Sequence, residues 1–329
     1  TAHSLKKLDI DTLKAFRDRF GVPLKDEELE DVPYYRPAPD SPELVYMKKR
    51  RQELGGFYPK RNKDCQPLQI PELDIFKQVL EGSDGREIST TMAFVRILSA
   101  LVKDKRIGKR VVPIVPDEAR TFGMEGMFRQ LGIYTAEGQK YVPQDRDQIM
   151  YYREDKKGQI LQEGINEDGA MSTWMAAATS YSTNSFPLIP FYVFYSMFGF
   201  QRVGDLAWAS GDMQARGFLI GGTAGRTTLN GEGLQHQDGH SHILANTIPN
   251  CKAYDPAYGY EMAVVIRHGM KEMFEDNQNV FYYLTIENEN YEQPAMPKDC
   301  EDGIIKGMYK FESVETKGRK KSPRVQLLG

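Results

Sequence analysis

The stretch ISTTMAFVRILSALVKD, residues 88–104, and the run VVPIV, residues 111–115, decide the fold of this 329-residue chain. Apolar side chains recur at helical spacing along the first stretch, at Ile88, Met92, Val95, Leu98 and Leu101. The second is a short run without polar residues, which is typical of a strand buried on both faces of a parallel sheet. A helix followed by such a strand is the building unit of α/β folds.

The same alternation continues towards the C-terminus. We predict helices after Gly169, near 201–209 and over 259–273, and strands at 188–195, 217–220, 251–254 and 280–286. The predicted fold class is therefore α/β, with a doubly wound, mostly parallel sheet and helices on both faces, formed by residues 86–329.

Residues 1–85 have a different pattern. A short helical stripe formed by Leu5, Leu8, Leu13 and Phe16 is followed by four prolines, Pro33, Pro37, Pro39 and Pro42. Proline fixes φ and removes a backbone donor, so we expect these residues to interrupt regular structure. We interpret this part as a connector that precedes the α/β domain.

Composition and charge exclude several classes of protein. Apolar residues make up 40% of the chain, which is enough for a substantial core. The 43 Lys and Arg residues and the 46 Asp and Glu residues leave a net charge of -3, which provides no field to attract nucleic acid. The three cysteines are widely spaced, so neither a disulfide framework nor a cysteine metal site is predicted.

Hydropathy and the chain ends predict the location of the protein and whether the chain is part of a longer polypeptide. No stretch approaches the roughly 18 consecutive apolar residues of a membrane helix, and the charged first thirty residues lack the apolar segment of a signal peptide. We therefore expect no membrane partner and a cytoplasmic location. The chain begins at Thr1 without a methionine and ends on the strand-like run 325–328, so we expect a fragment of a longer polypeptide.

Charge density falls in residues 164–250. This segment contains nine charged side chains and twelve glycines, and no lysine occurs between Lys157 and Lys252. We expect it to be buried against something besides its own sheet, most simply a second subunit around a shared site, because ordinary surfaces carry more charge. A large core is the alternative explanation.

Three of the five histidines lie in GEGLQHQDGHSH, residues 231–242, namely His236, His240 and His242. Their three nitrogens could bind zinc, with Asp238 or Glu232 completing a tetrahedral site. The glycines of this motif instead favour a tight loop in which the imidazoles need not converge. We therefore favour roles as proton donors or hydrogen-bonded loop residues for some of them.

A second polar cluster, LQEGINEDG at 161–169, lies between a short apolar run and a predicted helix. Glu167 or Asp168 could stabilise the start of that helix by roughly 1 kcal/mol, either as its cap or as a partner of the helix dipole. Alternatively, a glutamate in this charge-poor segment could be desolvated and share a proton with a heterocyclic ligand. The sequence leaves both interpretations open.

Six aromatic residues occur in the first ten positions of FYVFYSMFGFQR, residues 191–202. A core strand that runs into a helix explains most of them, because strand alternation directs about half of the side chains to each face of a sheet. One or two of the rings could instead form a wall against a planar ligand.

The order of these motifs resembles that of the pyrimidine-binding domain in thiamin-diphosphate enzymes of the transketolase superfamily. PDEARTFGMEGMFRQLGIY, GQILQEGINEDGA, YSMFGFQRVGDLAWA, QARGFLIGGTAGRTTLNGEGLQHQDGHSH and NENYEQPAMP are similar to the large homodimeric bacterial pyruvate dehydrogenase subunits. The resemblance covers nearly the whole chain and is weakest over residues 26–85. The start, TAHSLKKLD, is similar to the mobile active-site loop of that family.

The resemblance implies thiamin diphosphate as the cofactor, held between two subunits, with this domain binding the aminopyrimidine ring. Mg²⁺ and the diphosphate would be bound by a separate domain, because the family's Gly-Asp-Gly metal motif does not occur in this chain. The implied reaction is oxidative decarboxylation of pyruvate with transfer of the two-carbon unit to a lipoyl group. The implied partners are a second copy of the subunit and the lipoyl-bearing acetyltransferase core of the pyruvate dehydrogenase complex.

The resemblance also implies cofactor-binding and catalytic residues. Glu167 matches the glutamate that hydrogen-bonds the aminopyrimidine N1′ atom, which makes it both a catalytic and a cofactor-binding residue. Tyr195 and Phe198 match aromatic contacts to the same ring. His236 matches an active-site histidine near the substrate carboxylate.

Two acidic residues and a loop histidine complete the implied catalytic set. Asp117 and Glu118 match acidic residues that line the reaction centre. His3 matches the loop histidine used when the acyl group passes to lipoamide. For His240 and His242, the resemblance implies only that they belong to the same motif, so a purely structural role stays open.

Two alternatives differ from this interpretation. A transketolase or another 2-oxo acid dehydrogenase of the same superfamily is the nearest competing enzyme, although FGFQR together with GEGLQHQDGHSH favours pyruvate. A non-catalytic dimerisation and interaction fragment is the alternative from a different class. Titration with thiamin diphosphate distinguishes it, because a protein without a cofactor site shows no saturable signal.

Overall fold

The computed structural model describes residues 8–57, 65–116, 119, 121–143, 152–225, 233–314 and 325–327. The chain divides into two compact units, residues 1–60 and residues 61–329. The first contains short helices, and the second contains the α/β sheet.

Over residues 8–57, the first unit has two α-helices and one short 3-10 helix. The α-helices are Ile10–Phe20 and Pro42–Glu53, and the 3-10 helix is Asp26–Asp31. Residues 32–41, which hold three of the prolines, form neither helix nor strand. The expectation that Pro42 interrupts regular structure is wrong, because the first turn of a helix has no carbonyl partner for the missing N–H and suits the fixed φ of proline.

The second unit is built on a six-stranded sheet in which every neighbouring pair is parallel. Its strands, numbered in chain order, are β1 Val111–Val115, β2 Leu161–Gln162, β3 Ile189–Tyr195, β4 Phe218–Gly222, β5 Cys251–Tyr254 and β6 Phe281–Thr285. Their order across the sheet is β2-β1-β3-β4-β6-β5. The predicted parallel α/β sheet is confirmed.

Helices connect these strands or flank them in the chain. They are Lys77–Leu80, Thr90–Lys103, Glu125–Leu131, Glu167–Ala178, Ser180–Thr183, Gly199–Asp212, Ser241–Ala245, Gly259–Phe274 and Glu301–Ile305, with 3-10 turns at Leu73–Phe76, Gly108–Arg110 and Leu234–His236. Two small pairs of strands join Glu87–Ile88 to Tyr291–Glu292 and Ile133–Tyr134 to Glu154–Asp155. Across the described ranges, no helix has both the length and the apolar character needed to cross a membrane.

Successive residues of β3 belong to two separate core layers. Phe191 packs in the layer that contains the helix Gly259–Phe274. Tyr192 packs in the other layer, with the helices Glu167–Ala178 and Gly199–Asp212. Both side chains are fully buried. Helices therefore cover both faces of the sheet, and the doubly wound arrangement is confirmed.

Part of the predicted connector packs into the second unit. The amide of Leu68 donates to the Phe274 carbonyl at 3.0 Å, and the amide of Ile70 donates to a carboxylate oxygen of Glu275 at 2.7 Å. Phe76 is buried in the same core as the sheet. The contacts of the α/β unit thus begin before residue 86, whereas the division of roles between 1–85 and 86–329 stays a prediction.

Candidate active site

The order of the strands marks one edge of the sheet as the place for a ligand. After β1 the chain adds β2 on one side and then β3 on the other, so the direction of winding changes between β1 and β3. Ligands of open α/β sheets bind outside the carboxyl ends of the strands at such a point. Tyr195 is the last residue of β3 and lies at this edge.

A tight turn joins β3 to the helix Gly199–Asp212. The amide of Phe198 donates to the Tyr195 carbonyl at 3.0 Å, and the two rings lie edge to face with centroids 6.4 Å apart. Residue 199 must be glycine here, because a Cβ atom would lie 2.0 Å from the ring of Phe194. The helix can therefore begin in direct contact with the sheet.

The aromatic run divides between core and edge. Four of its six rings are buried, those of Phe191, Tyr192, Phe194 and Phe200. Tyr195 and Phe198 are partly exposed. The core interpretation is confirmed for the four, and the other two stay candidates for contact with a planar ligand.

Glu167 begins the helix Glu167–Ala178 just after β2. The helix is capped by Asn166, whose side chain accepts a hydrogen bond from the Gly169 amide at 3.0 Å. The prediction that Glu167 or Asp168 caps this helix is therefore wrong, whereas the alternative, that they are partners of the helix dipole, agrees with their position. Both carboxylates lie in the first turn, where the helix dipole favours negative charge.

Arg202 connects Glu167 to the aromatic pair. Its Nη1 donates to Glu167 Oε1 in an ion pair, and its guanidinium carbon lies 4.5 Å from the ring centroid of Phe198. The side chain of Glu167 is 19% exposed and that of Arg202 is 47% exposed, so the pair faces solvent at the edge of the sheet. Arg202 is not among the residues that the sequence predicts. One feature of the sequence could have indicated Arg202: it is a positive charge one helical turn after Phe198, in a segment with few charged residues.

His236 lies against the rings of Tyr195 and Phe198, which we call the edge rings. Its ring centroid is 4.7 Å from that of Tyr195 and 5.3 Å from that of Phe198. A continuous series of contacts thus joins five residues, which we call the site cluster: Glu167, Arg202, Phe198, Tyr195 and His236.

The other two histidines of the motif contact different elements. His240 Nε2 lies 2.9 Å from Gln201 Nε2. His242 Nε2 lies 3.0 Å from the Thr285 hydroxyl, which itself donates to Asp255. The three imidazoles therefore do not converge. Within the described part of the chain, no three His, Cys, Asp or Glu side chains come together as metal ligands would.

Tyr192 lies beneath the first turn of the helix that carries Glu167. Its hydroxyl donates to the Glu167 carbonyl at 3.4 Å. Burial, and then the charges of Glu167 and Asp168, raise the pKa of Tyr192 well above its usual value. The hydroxyl therefore stays protonated and acts at this edge as a neutral donor.

The predicted site residues fall into two groups. Those within the described ranges belong to the site cluster: Glu167, Tyr195, Phe198 and His236. His3, Asp117 and Glu118 lie outside the described residues, and their roles stay predictions.

A family model and several curated relatives point to the same family of proteins. Residues 68–294 match the family described as the pyruvate dehydrogenase E1 component middle domain. Over 328 residues the chain is 65% identical to the pyruvate dehydrogenase E1 component of Pseudomonas aeruginosa, which covers 100% of this chain and 37% of that protein. The E1 components of Cupriavidus necator and Escherichia coli strain K12 are 59% and 58% identical, over 100% of this chain and 36% and 37% of their own lengths. The chain thus spans little more than a third of the curated relatives it matches.

Solved structures agree on the fold. A transketolase from Leishmania mexicana aligns with a TM-score of 0.52 at 13% identity, covering 68% of this chain and 28% of that one. A transketolase from Campylobacter jejuni aligns with a TM-score of 0.51 at 14% identity, covering 86% of this chain and 38% of that one. At such low identity the likeness concerns the fold alone.

Proposed function

This chain belongs to the pyruvate dehydrogenase E1 component family, whose middle domain it matches, and we propose that it forms the aminopyrimidine-binding half of a thiamin-diphosphate site for oxidative decarboxylation of pyruvate. The observation that carries the proposal is the site cluster. A carboxylate, a guanidinium, two partly exposed aromatic rings and an imidazole are joined by a continuous series of contacts at the carboxyl edge of the sheet.

The chemistry of these side chains fits the cofactor. A flat heterocycle needs an aromatic or apolar wall, which Tyr195 and Phe198 offer. Its ring nitrogen needs a carboxyl partner, which Glu167 offers at the start of a helix. When bound, thiamin diphosphate supplies a nucleophilic carbon and an electron sink for decarboxylation.

The residues of the chain would then have distinct tasks. Glu167 would hold or move a proton at its Oε atoms, and Arg202 would orient that carboxylate through their ion pair. Tyr195 and Phe198 would bind the ring and keep water from it. His236, next to both rings, would position the carboxylate of pyruvate.

The proposal includes a second copy of the chain as partner. Ile165, Leu234 and Ile243 are 73%, 79% and 67% exposed within the charge-poor segment 164–250. Several such side chains within one charge-poor segment fit a surface that another protein covers. A homodimer around the site explains both the exposed residues and the low charge.

The remaining parts of the proposal concern the whole E1 subunit. Mg²⁺ and the diphosphate would be held by residues outside this chain, and the acetyl group would pass to the lipoyl-bearing acetyltransferase core. The bacterial sources of the relatives support a cytoplasmic location.

Two matched phenylalanine variants test the proposal in a complete subunit that carries this chain. Phe198, three residues after β3, lies under Arg202. Phe186, three residues before β3, lies under Arg110, with 4.0 Å between the guanidinium carbon and the ring centroid. We expect Phe198→Ala to weaken thiamin-diphosphate binding about tenfold or more in calorimetric titrations, and Phe186→Ala to leave it within about twofold. Absence of saturable binding by the unmodified subunit would contradict the proposal and favour a non-catalytic interaction module.

A further inference from the structure

Asp238 is a buried carboxylate in the segment 233–242, which carries His236 and His240. Its side chain is 4% exposed. Its Oδ1 accepts hydrogen bonds from the amides of His240 and Ser241, both at 3.0 Å, and its Oδ2 accepts one from the Ser241 hydroxyl. These bonds close a tight turn over residues 238–241, which begins two positions after His236.

The backbone of Asp238 also ties this segment to the sheet. Its amide donates to the carbonyl of Gly225 at 3.0 Å, in the stretch that follows β4. The amide of Asp238 thus joins the segment to the stretch after β4, and the carboxylate of Asp238 stabilises the segment internally.

His240 extends the contacts of Asp238 to the neighbouring helix. Its Nδ1 lies 3.6 Å from Asp238 Oδ1, and its Nε2 lies 2.9 Å from Gln201 Nε2. Gln201 Nε2 also donates to the Met197 carbonyl at 2.7 Å, which identifies it as the amide nitrogen, a donor only. His240 Nε2 must therefore be the acceptor, and the proton of the neutral ring lies on Nδ1, facing the carboxylate.

Electrostatics favour the charged form of Asp238. Burial by itself raises the pKa of this carboxyl, but the hydrogen bonds from the Ser241 hydroxyl and from the amides of His240 and Ser241 outweigh burial and lower the pKa below its usual value. The carboxylate is therefore an anion at neutral pH, opposite the Nδ1 proton of His240.

We propose that Asp238 is a positioning residue of the active site: it holds His236 in the site cluster and, through His240 and Gln201, fixes the histidine segment to the helix that carries Arg202. The inference rests on the proposed function of the cluster. It assigns Asp238 no contact with substrate or cofactor.

The chain offers a matched control at Asp104. Its Oδ1 accepts hydrogen bonds from the amides of Arg106 and Ile107 at 2.8 and 3.1 Å. As at Asp238, the donors are the amides of the second and third residues that follow the aspartate. Its carboxyl, like that of Asp238, has a lowered pKa, here because the hydrogen bonds from those amides outweigh the effect of burial. Asp104 ends the helix Thr90–Lys103 and is not in the site cluster.

The test compares kinetics and imidazole spectra. In a complete subunit, we expect Asp238→Ala to lower kcat of thiamin-dependent pyruvate decarboxylation about 10²-fold, as a displacement of about 1 Å can. Asp238→Asn, which keeps one oxygen for both amides, is expected to recover about tenfold of that loss. Asp104→Ala should change kcat by less than about twofold. In the full chain, nitrogen-15 spectra should show His240 protonated on Nδ1, and a mixture of tautomers in Asp238→Ala.

Several outcomes would overturn the proposal. One is an equal loss of kcat in Asp238→Ala and Asp104→Ala, and another is Asp238→Ala with unchanged kcat. If Asp238→Ala does not fold, Asp238→Asn takes its place in the test. An unchanged kcat together with an unchanged His240 tautomer in Asp238→Asn would then overturn the proposal. Failure of the proposed function looks different, because the unmodified subunit would then lack thiamin-dependent decarboxylation while the His240 tautomer still responded to Asp238→Asn.

Discussion

Arg202 forms an ion pair with Glu167 between two helices that begin at the same edge of the sheet. Both side chains are partly exposed, and an ion pair of this kind contributes about 0–1 kcal/mol to stability. Its importance is therefore one of placement, because it fixes the direction of the Glu167 carboxylate beside the edge rings.

Replacement of Arg202 should affect activity more than stability. We expect Arg202→Ala to lower kcat/KM for pyruvate about tenfold or more, since the Glu167 carboxylate loses its fixed partner, and to change the free energy of unfolding by about 1 kcal/mol or less. Arg267→Ala is the control, because Arg267 forms a partly exposed pair with Glu72 at 2.6 Å. Equal kinetic effects of the two variants would contradict the prediction.

Glu167→Gln should abolish most activity and leave the fold intact. The amide cannot take or release the proton, and general acid–base catalysis contributes about 10²–10⁴-fold. The neighbouring Asn166→Ala removes the helix cap and should cost about 0.5–2 kcal/mol of stability with little loss of kcat. Steady-state kinetics and urea unfolding of both variants provide the measurement. Near-normal turnover in Glu167→Gln would remove this residue from the catalytic set.

Two histidines should be separable by assay. We expect His3→Ala to impair mainly the acetylation of lipoyl groups, because the family resemblance gives it a role in acyl transfer. His236→Ala should also impair decarboxylation measured with an artificial electron acceptor, because His236 contacts both edge rings. The division of roles fails if both variants lose both activities to the same degree.

Two glycines of one helix should respond in opposite ways to alanine. At Gly199 a Cβ atom would lie 2.0 Å from the buried ring of Phe194, so Gly199→Ala should destabilise the fold by about 1–3 kcal/mol through overpacking. Gly204 has no atom within 4 Å of the same position, so Gly204→Ala should stabilise the helix by up to about 1 kcal/mol. Urea unfolding measures both variants, and stabilisation by both would show that helix propensity, not packing, decides at Gly199.

Hydrophobic periodicity predicted the helices and strands because most of them carry a buried face. The run Val111–Val115 is covered on both sides, and successive residues of β3, such as Phe191 and Tyr192, fill opposite core layers. Strand order was not predictable, since it depends on pairing between distant segments. The strand β2, with only Leu161 and Gln162, is too short to have a period.

The candidate site was partly predictable for similar reasons. The resemblance supplied Glu167 and Tyr195 because it rests on the order of motifs. Arg202 was missed because a charged residue on an exposed helical turn has the same sequence pattern whether it is solvated or paired. The partner of His242 is Thr285, 43 positions later, and no local pattern indicates such a contact.

The charge-poor segment should mediate association of the chain. Ile243 is 67% exposed there, and burial of apolar surface is worth roughly 25 cal/mol per Å². We expect the unmodified chain to sediment as a dimer and Ile243→Asp to shift it towards monomer, because an unpaired carboxylate is costly to bury. Met308→Asp is the control, since Met308 is 64% exposed but lies outside residues 164–250. A monomeric unmodified chain, or equal dissociation by Met308→Asp, would refute the interface.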